Sequence, residues 1–185
     1  VGTAGLVLAA GGGRRYGMPK ALVAYEGMLL VDRAAETLRT ADVTQSLVVL
    51  GAQAPAVIEQ AAELPPSVVN PDWASGLGSS LRVGLEALTA TPAEAVVVLL
   101  VDMPRVTAEA VRRVTAFAAE DALVMGGYGT RRGHPVLLGR RHWPGVIATA
   151  TGDRGARDYL RAHADQVRVV PVDDVADDFD LDVRP

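Results

Sequence analysis

The chain has no cysteine and a single lysine, and only 4% of it is aromatic. The absence of cysteine excludes a disulfide scaffold and any cysteine-ligated zinc or iron–sulfur centre. No apolar stretch nears 18 residues, so nothing in the sequence reads as a membrane-spanning helix. The apolar run at residues 6–10 is too short for the core of a signal peptide and follows no basic residue, which leads us to expect a cytoplasmic protein. A net charge of −4 offers no basic stripe and argues against nucleic acid as a partner. What is present is a chain of 185 residues, 49% hydrophobic and 22% charged. That is enough to bury a real core and too apolar for disorder. The length fits one domain over residues 1–185.

Apolar runs alternate with helical patterns. Leu6, Val7 and Leu8 read as a buried strand that ends in the glycine turn Gly11-Gly12-Gly13. Residues 30–40 carry Leu30, Ala34 and Leu38 at helical spacing, and residues 46–50 form a β-branched strand stopped by Gly51. Residues 56–64 are helical up to Pro65-Pro66; residues 68–69 are a short strand and residues 80–88 a helix. Residues 96–101 are consecutive apolar residues, as expected of a strand covered on both faces. Thr107 is a candidate helix cap before an inner stripe of Val111, Val114 and Phe117. Strands at residues 123–125, 136–138 and 167–170 and a helix at residues 156–163 complete the pattern. Such alternation predicts a Rossmann-like three-layer α/β/α sandwich with a mainly parallel sheet. Ligands of such sheets sit beyond the carboxyl ends of the strands. That singles out residues 10–20 and the loop Asp102-Met103-Pro104.

Charge is unevenly spread. Residues 1–25 hold Arg14, Arg15 and Lys20 and no acid, and residues 122–152 are also acid-free. Six aspartates lie between Asp173 and Asp182. Glycines let backbone amides close around an anion, and Arg and Lys supply charge where phosphates would lie, so the first loop has the make-up of a phosphate cradle. It is not a Walker loop, because no Gly-Lys-Ser/Thr follows the glycines. Gly11, Gly13 and Gly17 approach a dinucleotide fingerprint. However, Pro19 interrupts the required helix, and Gly51 and Ala52 stand where an acidic residue would close the next strand.

The run Leu8-Ala9-Ala10-Gly11-Gly12-Gly13-Arg14-Arg15-Tyr16-Gly17-Met18-Pro19-Lys20 resembles the signature of the MobA/MocA-like molybdenum cofactor nucleotidyltransferases. The likeness continues in order through Asn70-Pro71-Asp72-Trp73, Gly76-Leu77-Gly78-Ser79-Ser80-Leu81, Val101-Asp102-Met103-Pro104, Gly133-His134-Pro135, the stretch Thr151-Gly152-Asp153-Arg154-Gly155-Ala156-Arg157, and Asp180-Leu181-Asp182. It implies a GT-A-type nucleotidyltransferase fold and transfer of a nucleoside monophosphate from a nucleoside triphosphate to molybdopterin, with release of pyrophosphate. Two polyanions must then approach, so the protein's task is neutralisation and alignment. By resemblance, Arg15 and Lys20 serve the triphosphate and its leaving group, and Asp102 holds Mg²⁺, an ion that takes oxygen ligands. Leu8, Ala9, Ala10, Gly11, Gly12, Gly13, Gly78, Ser79 and Ser80 line the nucleotide site. Asp182 is a second metal ligand or an acceptor-side group. Ala10 points to CTP, since in the family Ala-Ala-Gly accompanies cytosine. Gly13 stands where the family often has Ser, and Tyr16 where it often has Met.

Other readings stay open for several of these residues. Ser79 and Ser80 can also cap the helix they open. Trp73 is a candidate to stack on a base or a pterin. His134 is either structural or an acceptor contact; no second His or Cys lies at ligand spacing, which disfavours zinc. Asp153 and Arg157 are spaced to pair across a helical turn. Three alternative functions also remain: transfer to a sugar phosphate or other small phosphorylated acceptor, an NAD(P)H-binding reductase on the same loop, and a non-catalytic nucleotide-binding partner of a molybdoenzyme.

Overall fold

The structure, a computed structural model, describes residues 2–13 and 17–181. It is built on a seven-stranded sheet. In chain order the elements are β1 (Thr3–Leu8), a small hairpin of β2 (Ala24–Tyr25) and β3 (Met28–Leu29), α1 (Leu30–Thr40), β4 (Gln45–Leu50), α2 (Ala54–Gln60), β5 (Ser67–Val69), α3 (Leu77–Thr89), β6 (Ala95–Leu100), α4 (Ala108–Thr115), β7 (Leu123–Tyr128), β8 (Arg131–Gly139), α5 (Trp143–Thr149), α6 (Arg157–Ala162) and β9 (Arg168–Pro171). The strand order is β5-β4-β1-β6-β8-β7-β9. Within this sheet every pairing is parallel except those of β8, which runs antiparallel to both β6 and β7.

The two faces of the sheet are covered by different helices, giving the expected three layers. Val7, Val48, Val97 and Leu137 face a cluster completed by Leu30, Val31 and Leu38 of α1, Val57 of α2 and Val111 and Val114 of α4. Leu6, Leu8, Val96, Val98, Val136 and Leu138 face Leu81, Leu85 and Leu88 of α3, Trp143 and Val146 of α5, and Leu160 of α6. The alternation is the period-2 pleat of a strand buried on both sides.

β1 lies between β4 and β6: the chain moves outward from β1 to β4 and β5, then returns through α3 to pair β6 on the other flank. This reversal makes a topological switch point, where a crevice opens beyond the strand ends. The loops after β1 and β6 both emerge there.

Several sequence expectations change. Thr107 does cap α4, accepting from the Ala110 amide at 3.3 Å. α4 ends at Thr115, however, so Phe117 leaves the inner stripe; it is 42% exposed, and the Arg168 guanidinium lies 4.3 Å from its ring centre. α2 ends at Gln60, well before the proline pair. α3 starts at Leu77 with Gly76 as its cap, which places Ser79 and Ser80 inside the helix, not at its end. The hairpin β2–β3 and helix α5 were not anticipated. Among the described residues, no helix is long and apolar enough to cross a membrane.

Candidate active site

One large cleft, of about 1130 Å³, opens at the switch point. Its wall is continuous from the first loop (Leu8, Ala10, Gly11, Gly12 and Lys20) through the end of β6 (Leu100, Val101, Asp102 and Met103). The loop path explains why the glycines face it. The Leu8 carbonyl accepts from Val101 and the Ala10 carbonyl from Ala52, so the carbonyls of this stretch are tied to neighbouring strand ends. Among the described residues, no acceptor takes the amides of Ala10, Gly11, Gly12 or Gly13. A row of unclaimed amides is what an anion nest requires. Ala9 and Gly13 belong to this loop without lining the cleft.

Lys20 and Asp102 meet at the cleft mouth, the ammonium 2.9 Å from the carboxylate Oδ2. Their side chains are 28% and 17% exposed. The chain brings them together across 82 residues: a single helical turn at Lys20–Leu22 returns the first loop, and Asp102 follows the buried strand β6. Arg15 and Asp182 lie outside the described residues. The acidic tail reaches the same place. The Val175 carbonyl accepts from Thr107 Oγ1, the Asp177 amide donates to the Arg105 carbonyl, and the Leu181 amide donates to the Asp102 carbonyl at 2.9 Å. Asp178 and Asp180 therefore line the cleft, although the sequence pattern had suggested only their neighbour Asp182. Asp178 is clamped by Arg131 at 2.6 Å.

The opposite side of the mouth comes from β8. Its pleat puts Arg132, His134, Val136 and Leu138 on one sheet face, and all four line the cleft. The His134–Pro135 peptide is cis, and Tyr128 Oη donates to the His134 carbonyl at 2.6 Å. Burial pushes the His134 imidazole down to about 4, against the opposing pull of Asp102 and Asp178, so it is neutral near pH 7. Burial also raises the Tyr128 phenol, so its hydroxyl stays protonated as a donor.

The third wall is the loop from Asn70 into α3. Asn70, 1% exposed, donates from Nδ2 to Ser79 Oγ at 2.9 Å and Ser80 Oγ at 3.0 Å, while its Oδ1 accepts from the Asp72 amide. This buried network fixes a turn whose next residue is Trp73. The indole lies over two glycines: a Cβ on Gly51 would fall 2.5 Å from Trp73 Cβ, and one on Gly12 2.9 Å from its ring. Trp73 thus forms part of the cleft wall against the first loop. Ser80 reaches the cleft. Gly78 and Ser79 do not line it; their place is structural. The Gly78 amide donates to the Gly152 carbonyl at 2.7 Å, and Ser79 is taken up by Asn70 and the Asp72 and Gly76 carbonyls. Asn70 was not among the site candidates, although an Asn before Pro in a loop is a signal for side-chain-to-backbone bonding.

The far end is walled by α6 and the turn before it. Asp153, Arg154, Arg157, Leu160 and Arg161 line it. The ion pair here joins Arg154 to Asp158 at 3.2 Å, in place of the expected partners Asp153 and Arg157.

Two polyphosphate-sized tasks fit this arrangement: a nest of amides with a lysine beside an aspartate, and a basic far wall. Comparison with known proteins names the relation. Residues 5–167 match the model of the MobA-like NTP transferase domain. The chain belongs to the MobA-like NTP transferase family. Nicotine blue oxidoreductase from Paenarthrobacter nicotinovorans is 37% identical over 188 residues, covering 96% of this chain and 91% of that protein. Among solved structures, the Mycobacterium tuberculosis Rv0371c homologue from Mycobacterium sp. strain JC1 is 29% identical with a TM-score of 0.82, covering 98% and 90% of the two chains. Rv0371c from Mycobacterium tuberculosis H37Rv in complex with manganese is 28% identical with a TM-score of 0.76, covering 93% and 89%. A nucleotidyl transferase from Methanothermobacter thermautotroptrophicus, 20% identical with a TM-score of 0.78, shares the fold over 92% of this chain and 87% of that one. The MobA-like chain therefore has the Rossmann-like sandwich that its element pattern suggested, in the nucleotidyltransferase form that the resemblance implied.

Proposed function

We propose that this protein is a divalent-metal-dependent nucleotidyltransferase that moves a nucleoside monophosphate, CMP by preference, from a nucleoside triphosphate to a phosphorylated acceptor, with molybdopterin the favoured acceptor, and releases pyrophosphate. The observation that carries the reading is the Lys20–Asp102 pair at 2.9 Å beside the unclaimed amides of Ala10 to Gly13. An acceptor phosphate oxygen attacks the α-phosphorus in line, the bond from that phosphorus to the bridging oxygen breaks, and the negative charge leaves on pyrophosphate. The amides receive phosphate oxygens, and the Lys20 ammonium, a compact point charge, neutralises the leaving group. Arg15 joins it in this role.

The residues present fit a hard cation. Asp102 offers carboxylate oxygens at the mouth, where substrate phosphates complete the set, and such ions need only one or two carboxylates of their own. Among the described residues, no group of three or more acids and histidines forms a dedicated cage. Mg²⁺ would be held by Asp102, with Asp182 a further candidate, and when bound supplies charge neutralisation at the phosphates. Leu8, Ala9, Ala10, Gly11, Gly12, Gly13 and Ser80 belong to the nucleotide side in this reading, with Gly78 and Ser79 supporting it from behind. Trp73 and His134 face the acceptor.

A second reading, a reductase using NADPH, is favoured by one observation, the 37% identity to a protein named as an oxidoreductase. The same amide nest and lysine would then hold a dinucleotide's phosphates. Pyrophosphate release with each nucleoside triphosphate plus molybdopterin, run beside NADPH oxidation and NADPH fluorescence titration, separates the two. Pyrophosphate release that depends on CTP and acceptor supports transfer; NADPH binding with no turnover of any triphosphate overturns it.

A further inference from the structure

The mouth of the cleft is neutralised from within. Asp102 and Asp178 both line it. Each already holds a side-chain cation: Lys20 Nζ lies 2.9 Å from Asp102 Oδ2, and Arg131 lies 2.6 Å from Asp178 Oδ2. A carboxylate paired in this way presents little net charge to a metal ion arriving from solvent. The point matters most at Asp102, the residue that the transfer reading gives to a divalent cation.

The two members of the Lys20–Asp102 pair differ in freedom. Asp102 is held by the backbone around it: its carbonyl accepts from Leu181, the Met103 amide donates to the Leu100 carbonyl, and the Val101 amide donates to the Leu8 carbonyl. Lys20 is anchored at the amide nest. Its backbone amide donates to the Gly11 carbonyl at 3.4 Å, and its carbonyl accepts from Val23. Its stem passes Gly11 closely, with Cδ 3.8 Å from where a Cβ on that glycine would stand. The side chain therefore starts beside the nest and ends on Asp102. A flexible four-carbon stem can carry the ammonium from one to the other by side-chain torsions alone, with the backbone unmoved. An oxyanion in the nest competes with Asp102 for the same ammonium.

We infer that Lys20 is a lock on the metal position: with the nest empty its ammonium occupies Asp102 and excludes free divalent metal, and an oxyanion in the nest releases it. The inference rests on the reading that Asp102 takes the divalent cation. A metal ion approaching the other carboxylate oxygen, Oδ1, meets a charge already cancelled and an ammonium at its side, and like charges repel strongly in a partly buried site. Once phosphate oxygens draw the ammonium away, Asp102 is a partly buried carboxylate without its cation, a costly state that a metal relieves. Metal and phosphate then bind cooperatively, each raising the affinity of the other by the same factor. A pair closed for about nine-tenths of the time lowers the apparent affinity for free metal about tenfold. The lock thus keeps Asp102 from filling with metal before the phosphates that the metal serves are in place.

The test uses the full chain and Mn²⁺ as probe, with no nucleotide present, following the electron paramagnetic resonance signal of the free ion. Lys20→Met keeps the stem and removes the charge. It should bind Mn²⁺ at least about tenfold more tightly than wild type. Lys20→Gln, uncharged but polar, should do the same and covers the case in which a methionine disturbs the mouth. Adding Asp102→Asn to Lys20→Met should abolish the gain, which places it at Asp102. Sulfate, an oxyanion with little hold on Mn²⁺ in solution, should tighten Mn²⁺ binding to wild type at constant ionic strength and leave Lys20→Met unchanged. Equal Mn²⁺ affinity in wild type and both Lys20 variants, a gain that survives Asp102→Asn, or a wild type indifferent to sulfate each overturns the inference. The outcome is separable from that of the transfer reading. If no triphosphate turns over with any acceptor but Lys20→Met tightens Mn²⁺ through Asp102, transfer fails and the lock stands; if transfer occurs and the Lys20 variants bind Mn²⁺ as wild type does, the lock fails and transfer stands.

Discussion

Lys20 is the one lysine in a chain that otherwise uses arginine for every positive charge, and its partner Asp102 sits 2.9 Å away just beyond the buried strand β6. In the transfer reading its ammonium exchanges a carboxylate for phosphate oxygens as substrate arrives. Lys20→Ala should lower kcat by at least about 100-fold, the scale seen when one preorganised donor to developing negative charge is removed. Lys20→Arg should recover little of it, because the planar fork fits a point-charge position poorly. Steady-state pyrophosphate release checks both. His134 gives a pH prediction. Its pKa in the fold, about 4, lies below the usual histidine value near 6.5, so the unfolded chain binds the extra proton first. The stability it contributes is complete above pH 6.5 and is lost as pH falls from 6.5 through 4, with an upper size of about 3 kcal/mol. His134→Gln should flatten this acid-side loss relative to wild type, measured as the difference in urea midpoints at pH 7 and pH 4.5; a parallel loss in both proteins would contradict it. The Asp174 carboxylate, held down by Arg113, contributes a separate loss below its own range and is unchanged by the substitution.

At the scale of elements, the loop from Asn70 to α3 is the hinge of the design, and it shows what a sequence carries and what it hides. The glycines, the aspartate after the hydrophobic strand and the lysine were legible because each is chemically odd for its place: a cation without acids nearby, a carboxylate after a run of apolar residues. Their roles in catalysis came from family resemblance. Asn70 was hidden because its function is to be buried and satisfied, and nothing local distinguishes it from a turn asparagine. Ser79 and Ser80 were misplaced by the start of α3. Gly76 and Leu77 take the first turn, so the serines point inward to Asn70 and do not cap the helix. The antiparallel β8 was hidden for a related reason, since a short apolar run does not reveal direction. Removing Asn70 leaves two buried hydroxyls without their donor. Asn70→Ala should therefore cost about 1–3 kcal/mol, a fall of roughly 2–4 °C in Tm per kcal/mol for a chain of this size. Gly78→Ala drives a Cβ to 2.7 Å from the Thr151 backbone and should cost a similar amount. Differential scanning calorimetry measures both. In Asn70→Ala the emission of Trp73, which lies over Gly12 and Gly51, should also shift red as its turn loosens.

For the whole molecule, the net charge of −4 conceals a division that the fold makes spatial. The cleft has an acidic mouth of Asp102, Asp178 and Asp180 close to Lys20, and a far wall of Arg157 and Arg161. The tail that supplies two of those acids is fastened to α4 by the Arg113–Asp174 pair at 2.7 Å and to the Asp102 carbonyl by the Leu181 amide. Small polyanions and a cation suit such a surface better than a nucleic acid does. Membership of the MobA-like family and the fold leave one question of chemistry, group transfer or reduction, and one experiment addresses it directly. Purified protein is given CTP, molybdopterin and Mg²⁺, pyrophosphate is measured, and the same preparation is given NADPH in place of CTP. The account predicts pyrophosphate release that requires CTP, acceptor and Mg²⁺ together and is lost in Lys20→Ala; NADPH oxidation with no pyrophosphate from any nucleoside triphosphate would contradict it.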